Sequence, residues 1–187
     1  MKKTIKIFIA PALILLACVF LWPKLYGDIR DRRPVWSPDG RFLAFVSNRR
    51  QPGASLLSDD RPSHLWLIGA DGKGLRPLTP RGGLSRPVAG WPLWSPDGGK
   101  LLVESGAGYW IVPVAGGEPK ALDADVSSPR WSPDGQSLLY TSRKDSRIEN
   151  IWTAAADGSA AKPLTRMTRP NTDCGGAEWS PDGSRIL

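Results

Sequence analysis

The 187 residues predict an all-β chain of propeller blades. Three observations carry this: a pentapeptide repeated four times, an apolar run after each of its first three copies, and a second Trp-containing element further on. Trp-Ser-Pro-Asp-Gly stands at 36–40, 94–98, 131–135 and 179–183, spaced by 58, 37 and 48 residues. Repeats with a period of about 40–45 residues are typical of four-stranded propeller blades. The pentapeptide is turn chemistry. Ser accepts hydrogen bonds at the first position, Pro arrives with φ already set, Asp tolerates the third position and Gly supplies positive φ. This assigns Asp39, Gly40, Asp97, Gly98, Asp134, Gly135, Asp182 and Gly183 to turns. It places Trp36, Trp94, Trp131 and Trp179 in the gaps between blades.

The runs Phe42–Val46, Leu101–Val103 and Leu138–Tyr140 then read as second strands. The second element is His64-Leu65-Trp66-Leu67-Ile68 leading to Asp71-Gly72 and Leu78-Thr79. It recurs as Asn150-Ile151-Trp152-Thr153-Ala154 leading to Asp157-Gly158 and Leu164-Thr165, and more loosely around Tyr109-Trp110-Ile111-Val112. Each copy reads as a third strand, a tight turn and a short outer strand. Seven of the nine Trp occupy these two repeat positions, as core residues of the frame.

This pattern, WSPDG–strand–(L/I)W–x3–(A)DG–x–LT, resembles the WD-like repeat of the TolB β-propeller family. It is also similar to the propeller domains of prolyl-oligopeptidase-type peptidases. The likeness covers roughly residues 34–187 and is specific for the blade, not for one activity. TolB membership implies an exported interaction protein working with envelope partners. In that family an accessory domain normally precedes the propeller, whereas here about ten residues separate the apolar segment from the first blade.

The expected organisation is a signal-anchor or signal-peptide segment at 1–27, a basic linker at 28–33 and blades at 34–79, 84–122 and 128–165, with a partial blade at 177–187. Three and a fraction blades do not close a ring of about four to eight, and a half-finished blade leaves an open edge. The sequence thus reads as a truncated TolB-like protein, with ring completion by another chain as the other account.

The net charge of +7 divides unevenly, with +5 in residues 1–33 and +2 in residues 34–187. The excess flanks the apolar run Ile7–Trp22, where anionic headgroups attract it. A basic stripe interleaved with aromatics is absent from the rest, so nucleic acid is not an expected partner. Sixteen apolar residues followed by Pro23-Lys24, with Trp22 and Tyr26 suited to an interface, predict an uncleaved helical anchor. Cleaved-signal and lipoprotein readings (the latter through Cys18) compete with it. The propeller is expected outside the cytoplasm, although the Lys/Arg counts on the two sides nearly balance and leave orientation open. Cys18 and Cys174 form neither a disulfide framework nor a metal pair.

Catalytic signatures are lacking. The sequence has no GxSxG elbow, and its single histidine, His64, starts a predicted strand. The turn aspartates belong to separate blades, and no cofactor or metal site is expected. Candidate binding residues therefore lie in the loops joining one blade's outer strand to the next blade's inner strand. They are Arg81, Arg86 and Trp91; Asp123, Asp125 and Arg130; and Arg169, Asn171 and Asp173. The functional expectation is a non-enzymatic, membrane-tethered propeller that binds a protein or peptide. The alternative is the propeller portion of a larger enzyme, either a prolyl-oligopeptidase-type serine peptidase or an oligosaccharide lyase.

Overall fold

Each WSPDG pentapeptide ties itself into a closed turn. Ser37 Oγ donates to Asp39 Oδ1 at 2.6 Å and accepts the Phe42 N–H at 2.9 Å, while the Arg41 N–H reaches Asp39 Oδ1 at 3.0 Å. The same three bonds recur at Ser95–Asp97, Ser132–Asp134 and Ser180–Asp182. The four turn glycines share φ values between 69° and 71°, a region costly for residues with a Cβ. Serine thus acts both as donor to the carboxylate and as acceptor from the backbone.

The serine hydroxyl bond, followed by the backbone N–H bond, holds all four carboxylates below the usual range, Asp182 down to about 2. Carboxylates with a depressed folded pKa stabilise the fold above their unfolded pKa, and lose that contribution as pH falls through the folded value. The urea midpoint is therefore expected to drop between about pH 4 and pH 2. An Asp97→Asn/Asp134→Asn double variant should show a shallower acid slope. Equal slopes would assign the acid sensitivity to other groups.

The computed structural model describes residues 28–54, 62–80, 84, 86–106, 108–123, 125–145, 148–168 and 176–187. The helical anchor expected at residues 7–22 lies outside them. The described residues contain no helix and form three four-stranded antiparallel sheets. Blade 1 comprises β1 (Asp31–Trp36), β2 (Phe42–Ser47), β3 (His64–Gly69) and β4 (Arg76–Pro77). Blade 2 comprises β5 (Leu93–Trp94), β6 (Lys100–Ser105), β7 (Gly108–Pro113) and β8 (Lys120–Ala121). Blade 3 comprises β9 (Ser127–Trp131), β10 (Ser137–Ser142), β11 (Asn150–Ala155) and β12 (Lys162–Pro163). In each, strand order follows chain order. A fourth turn closes a short hairpin through the Trp179–Ile186 bridge and the paired backbone bonds of Glu178 with Leu187.

β1 begins at Asp31, inside the stretch that its charge marks as a linker. Asp31 and Arg32 pair with Ser47 and Val46. Arg49 Nη2 also binds Asp31 Oδ2 at 2.5 Å, so a partner across the sheet compensates the charge.

Two apolar clusters join the blades. Ala44, Val46, Leu65 and Leu67 of blade 1 meet Trp94, Leu101, Val103 and Val112 of blade 2. Leu102 and Ile111 of blade 2 meet Trp131, Leu138, Tyr140, Trp152 and Ala154 of blade 3. Alternation along each strand thus sends one residue set to the preceding blade and the next set to the following one.

An indole–carbonyl bond repeats at the two joints between complete blades, and a glycine–proline contact repeats at these and at the fourth turn. Trp94 Nε1 donates to the Val35 carbonyl at 3.1 Å, and Trp131 Nε1 donates to the Leu93 carbonyl at 3.2 Å. A Cβ on Gly98, Gly135 or Gly183 would lie 3.9, 3.4 or 3.5 Å from the turn proline of the blade before, namely Pro38, Pro96 or Pro133. Trp36 departs from the sequence expectation of a core role. It is 58% exposed, against 9% for Trp94 and 8% for Trp131, because no described residue stands where a preceding blade would cover it. Trp179 is half-buried, and its Nε1 has no partner among the described residues.

Candidate functional site

Where the inner strands converge, an X-Pro-X-Trp pattern precedes each of the first three turns: Arg33-Pro34-Val35-Trp36, Trp91-Pro92-Leu93-Trp94 and Ser128-Pro129-Arg130-Trp131. Proline lacks an N–H and interrupts the ladder. The β1–β2 register slips between Arg32 and Val35, and the β9–β10 register slips between Leu139 and Thr141. β5 is only two residues long and starts after Pro92. Arg33 and Ser128 take φ values of 55° and 50°, a left-handed backbone that costs about 1–2 kcal/mol for residues other than glycine. Such strain concentrates where a side chain must be aimed.

These bulges line a cavity of about 570 Å³. Arg33 comes from blade 1, and Trp91, Pro92, Leu93, Leu102, Glu104 and Tyr109 from blade 2. Pro129 and Arg130 come from blade 3. Gly90 makes room for the acid: a Cβ there would lie 2.7 Å from Glu104 Oε2. Tyr109 has its hydroxyl pushed above the ordinary phenol value, mainly by burial and then by the Glu104 charge, with Arg130 opposing. It therefore remains a protonated donor at neutral pH.

The lining thus offers two guanidinium groups, one carboxylate, a phenol donor and an exposed indole. Guanidinium groups bind carboxylates in two-point fashion, and an indole face stacks on planar or cationic groups. Among the described residues the lining contains no Ser, Cys, His or Lys.

Of the residues expected from sequence, Trp91 and Arg130 come together here. Arg86, Asp123 and Asp125 do not line the cavity. The Arg86 backbone is pinned to Ser105, whose Oγ donates to the Arg86 carbonyl and accepts its N–H. Asp123 is engaged by Lys144 Nζ at 2.5 Å. Asp125 sits exposed in a turn at φ 68°. Arg81, Arg169, Asn171 and Asp173 lie outside the described residues. Arg33, Glu104 and Tyr109 were not singled out, and the repeated X-Pro before each Trp was the available signal for Arg33. His64 is buried in blade 1, with Nδ1 3.3 Å from Thr79 Oγ1.

No protein-family model matches the chain. Over 82 residues, 43% of its length, it is 39% identical to the uncharacterized peptidase YuxL of Bacillus subtilis (strain 168), of which it covers 10%. Among solved structures it is similar to a protein described as TolB from Agrobacterium tumefaciens, with TM-score 0.51 and 23% identity over 82% of this chain and 51% of that one. An oligogalacturonate lyase in complex with manganese matches with TM-score 0.61 and 18% identity, over 82% of this chain and 45% of that one. The β-propeller domain of the Trilobed protease from Pyrococcus furiosus matches with TM-score 0.54 and 16% identity, over 82% and 46%. The chain therefore spans about half the length of these solved structures and a tenth of the curated relative. In fold it is a series of β-propeller blades similar to those of TolB and of protease and lyase propellers.

Proposed function

We propose that this chain is a membrane-tethered, extracytoplasmic propeller module that binds an extended peptide segment of a protein partner through the cavity between its inner strands. The observation that carries the reading is the junction of Arg33, Trp91, Glu104, Tyr109 and Arg130, drawn from three blades around one cavity. Two guanidinium groups against one carboxylate favour an acidic segment, and Trp91 favours an aromatic or proline side chain beside it. The apolar run Ile7–Trp22 between lysines supports the tether.

A displayed random-peptide library tests this. Binders should be enriched in Asp or Glu next to an aromatic residue or proline. Arg130→Ala and Trp91→Ala should each weaken a selected peptide by about tenfold, equivalent to ~1.4 kcal/mol. Arg33→Asn should lose binding while changing stability by less than about 1 kcal/mol, since asparagine tolerates the left-handed backbone. Selected peptides indifferent to all three variants would place the binding surface elsewhere.

The 39% identity with a peptidase stretch supports a second reading, in which these blades are the propeller part of a serine peptidase. Labelling of the native gene product by a fluorophosphonate probe would favour it, because the 187 residues contain no GxSxG elbow of their own.

A further inference from the structure

The cavity between the inner strands holds charges of both signs that do not neutralise one another. Glu104 is half-buried. Among the described residues its carboxylate has no hydrogen-bond donor and no cation within ion-pair distance. Arg33 is also half-buried and equally unengaged, and Arg130 gives one N–H to the neighbouring Pro129 carbonyl at 3.2 Å. Asp31, Asp123 and Asp157 are all more exposed than Glu104, yet each is met by an Arg or Lys of the chain. A half-buried carboxylate has lost part of its hydration, and a cation or a donor must make up the loss.

Two neighbours shape what Glu104 can receive. Tyr109 stands directly opposite it in the β6–β7 pair, so the two side chains lie beside each other on one face. The Tyr109 hydroxyl has no hydrogen-bond partner among the described residues. Its oxygen can accept a proton donor, and its ring face attracts a cation. Gly90 closes the other side, where a Cβ would lie 2.7 Å from Glu104 Oε2 and 2.9 Å from Glu104 Cβ. Oε2 thus rests against the Gly90 backbone, and Oε1 is the freer oxygen. A guanidinium binds best to both oxygens of a carboxylate in its planar fork. An ammonium group is a point charge with three donors and is satisfied by one oxygen and a phenol beside it.

We propose that Glu104, Tyr109 and Gly90 form a subsite for a primary ammonium group of the bound segment, beside the arginines that take its acidic group. This rests on the reading of the cavity as a peptide site. The preferred segment is therefore dipolar, with an acidic side chain and an amine held in one cavity. A lysine side chain and a chain's amino terminus supply the same chemistry. Gly90 acts as a positioning residue, since any side chain there displaces the carboxylate.

The test uses the full chain in mild detergent and peptides selected on it from the displayed random library, synthesised with a dye at the carboxyl end. Fluorescence anisotropy measures their affinities. Glu104→Gln keeps the shape of a side chain that has no partner in the fold, and is expected to bind these peptides about tenfold more weakly. Gly90→Ala should reproduce the loss, because Gly90 lies outside the left-handed region and the added methyl acts only on Glu104. Norleucine in place of each lysine, and acetylation of the amino terminus, distinguish the two sources. The change that removes the bound amine should itself cost about tenfold and abolish the sensitivity to Glu104→Gln. Peptides that require Arg130 and Trp91 yet bind Glu104→Gln equally or more tightly overturn the ammonium subsite and leave the peptide site standing. So does a sensitivity to Glu104→Gln that persists when every amine is blocked. A library that yields no binder, or only binders indifferent to Arg130→Ala and Trp91→Ala, overturns both.

Discussion

Trp131→Ala is expected to cost about 3–5 kcal/mol of unfolding free energy, as for other buried large aromatics. Trp131 is 8% exposed within the blade 2–blade 3 cluster, and its Nε1 holds the Leu93 carbonyl. Trp131→Phe keeps most of the apolar contact and removes the donor, so its expected cost is nearer 1–2 kcal/mol. The matching Trp36→Ala change should cost less than about 1 kcal/mol because the side chain is already largely solvated. Urea titrations followed by circular dichroism measure all three. Equal losses for Trp36→Ala and Trp131→Ala would mean that Trp36 is covered in the free chain, contrary to its exposure on blade 1.

A glycine pair makes the second large contrast. Gly72 and Gly158 occupy the same turn in blades 1 and 3, at φ 78° and 79°. A Cβ on Gly72 meets nothing within 4 Å, while a Cβ on Gly158 falls 2.6 Å from Leu122 Cδ2 and 3.6 Å from Ile111 Cδ1. Gly72→Ala should therefore cost the left-handed backbone alone, about 1–2 kcal/mol. Gly158→Ala should add the displacement of Leu122 from its rotamer, for a total of about 2–3 kcal/mol. Pairing Gly158→Ala with Leu122→Ala relieves the clash, and the two effects should be less than additive. Strict additivity would show that Gly158 does not touch blade 2.

The frame was legible because its determinants are local. Ser, Pro, Asp and Gly at fixed offsets close a turn without help from distant residues, and the Trp period follows from the turn period. The same logic overreached at Trp36, where burial depends on a neighbour and not on the residue itself. It also assigned Asp31–Arg33 to a linker, since charge alone did not reveal the Asp31–Arg49 pair or the pairing of Arg32 with Val46.

The candidate cavity was half legible. Trp91 and Arg130 stood out as odd residues in loops between repeats. Glu104 and Tyr109 lie in strands, where alternation marks them as ordinary frame positions, and only the meeting of three inner strands brings them to Arg33. The spent signal was the proline: at residues 34, 92 and 129 it breaks the ladder one residue after the side chain that is turned aside.

The joint between blades has a consequence for how such proteins change over generations. It is made by one indole on one backbone carbonyl and one glycine over one proline, all supplied by the invariant pentapeptide or the peptide bond beside it. A gene segment encoding one more blade, inserted between two existing ones, brings its own donor, acceptor, glycine and proline in register. The single joint that the insertion interrupts is replaced by two chemically identical ones. Blade number can thus be altered by duplication or loss in a single step, while the loops carrying recognition diverge without disturbing the stack.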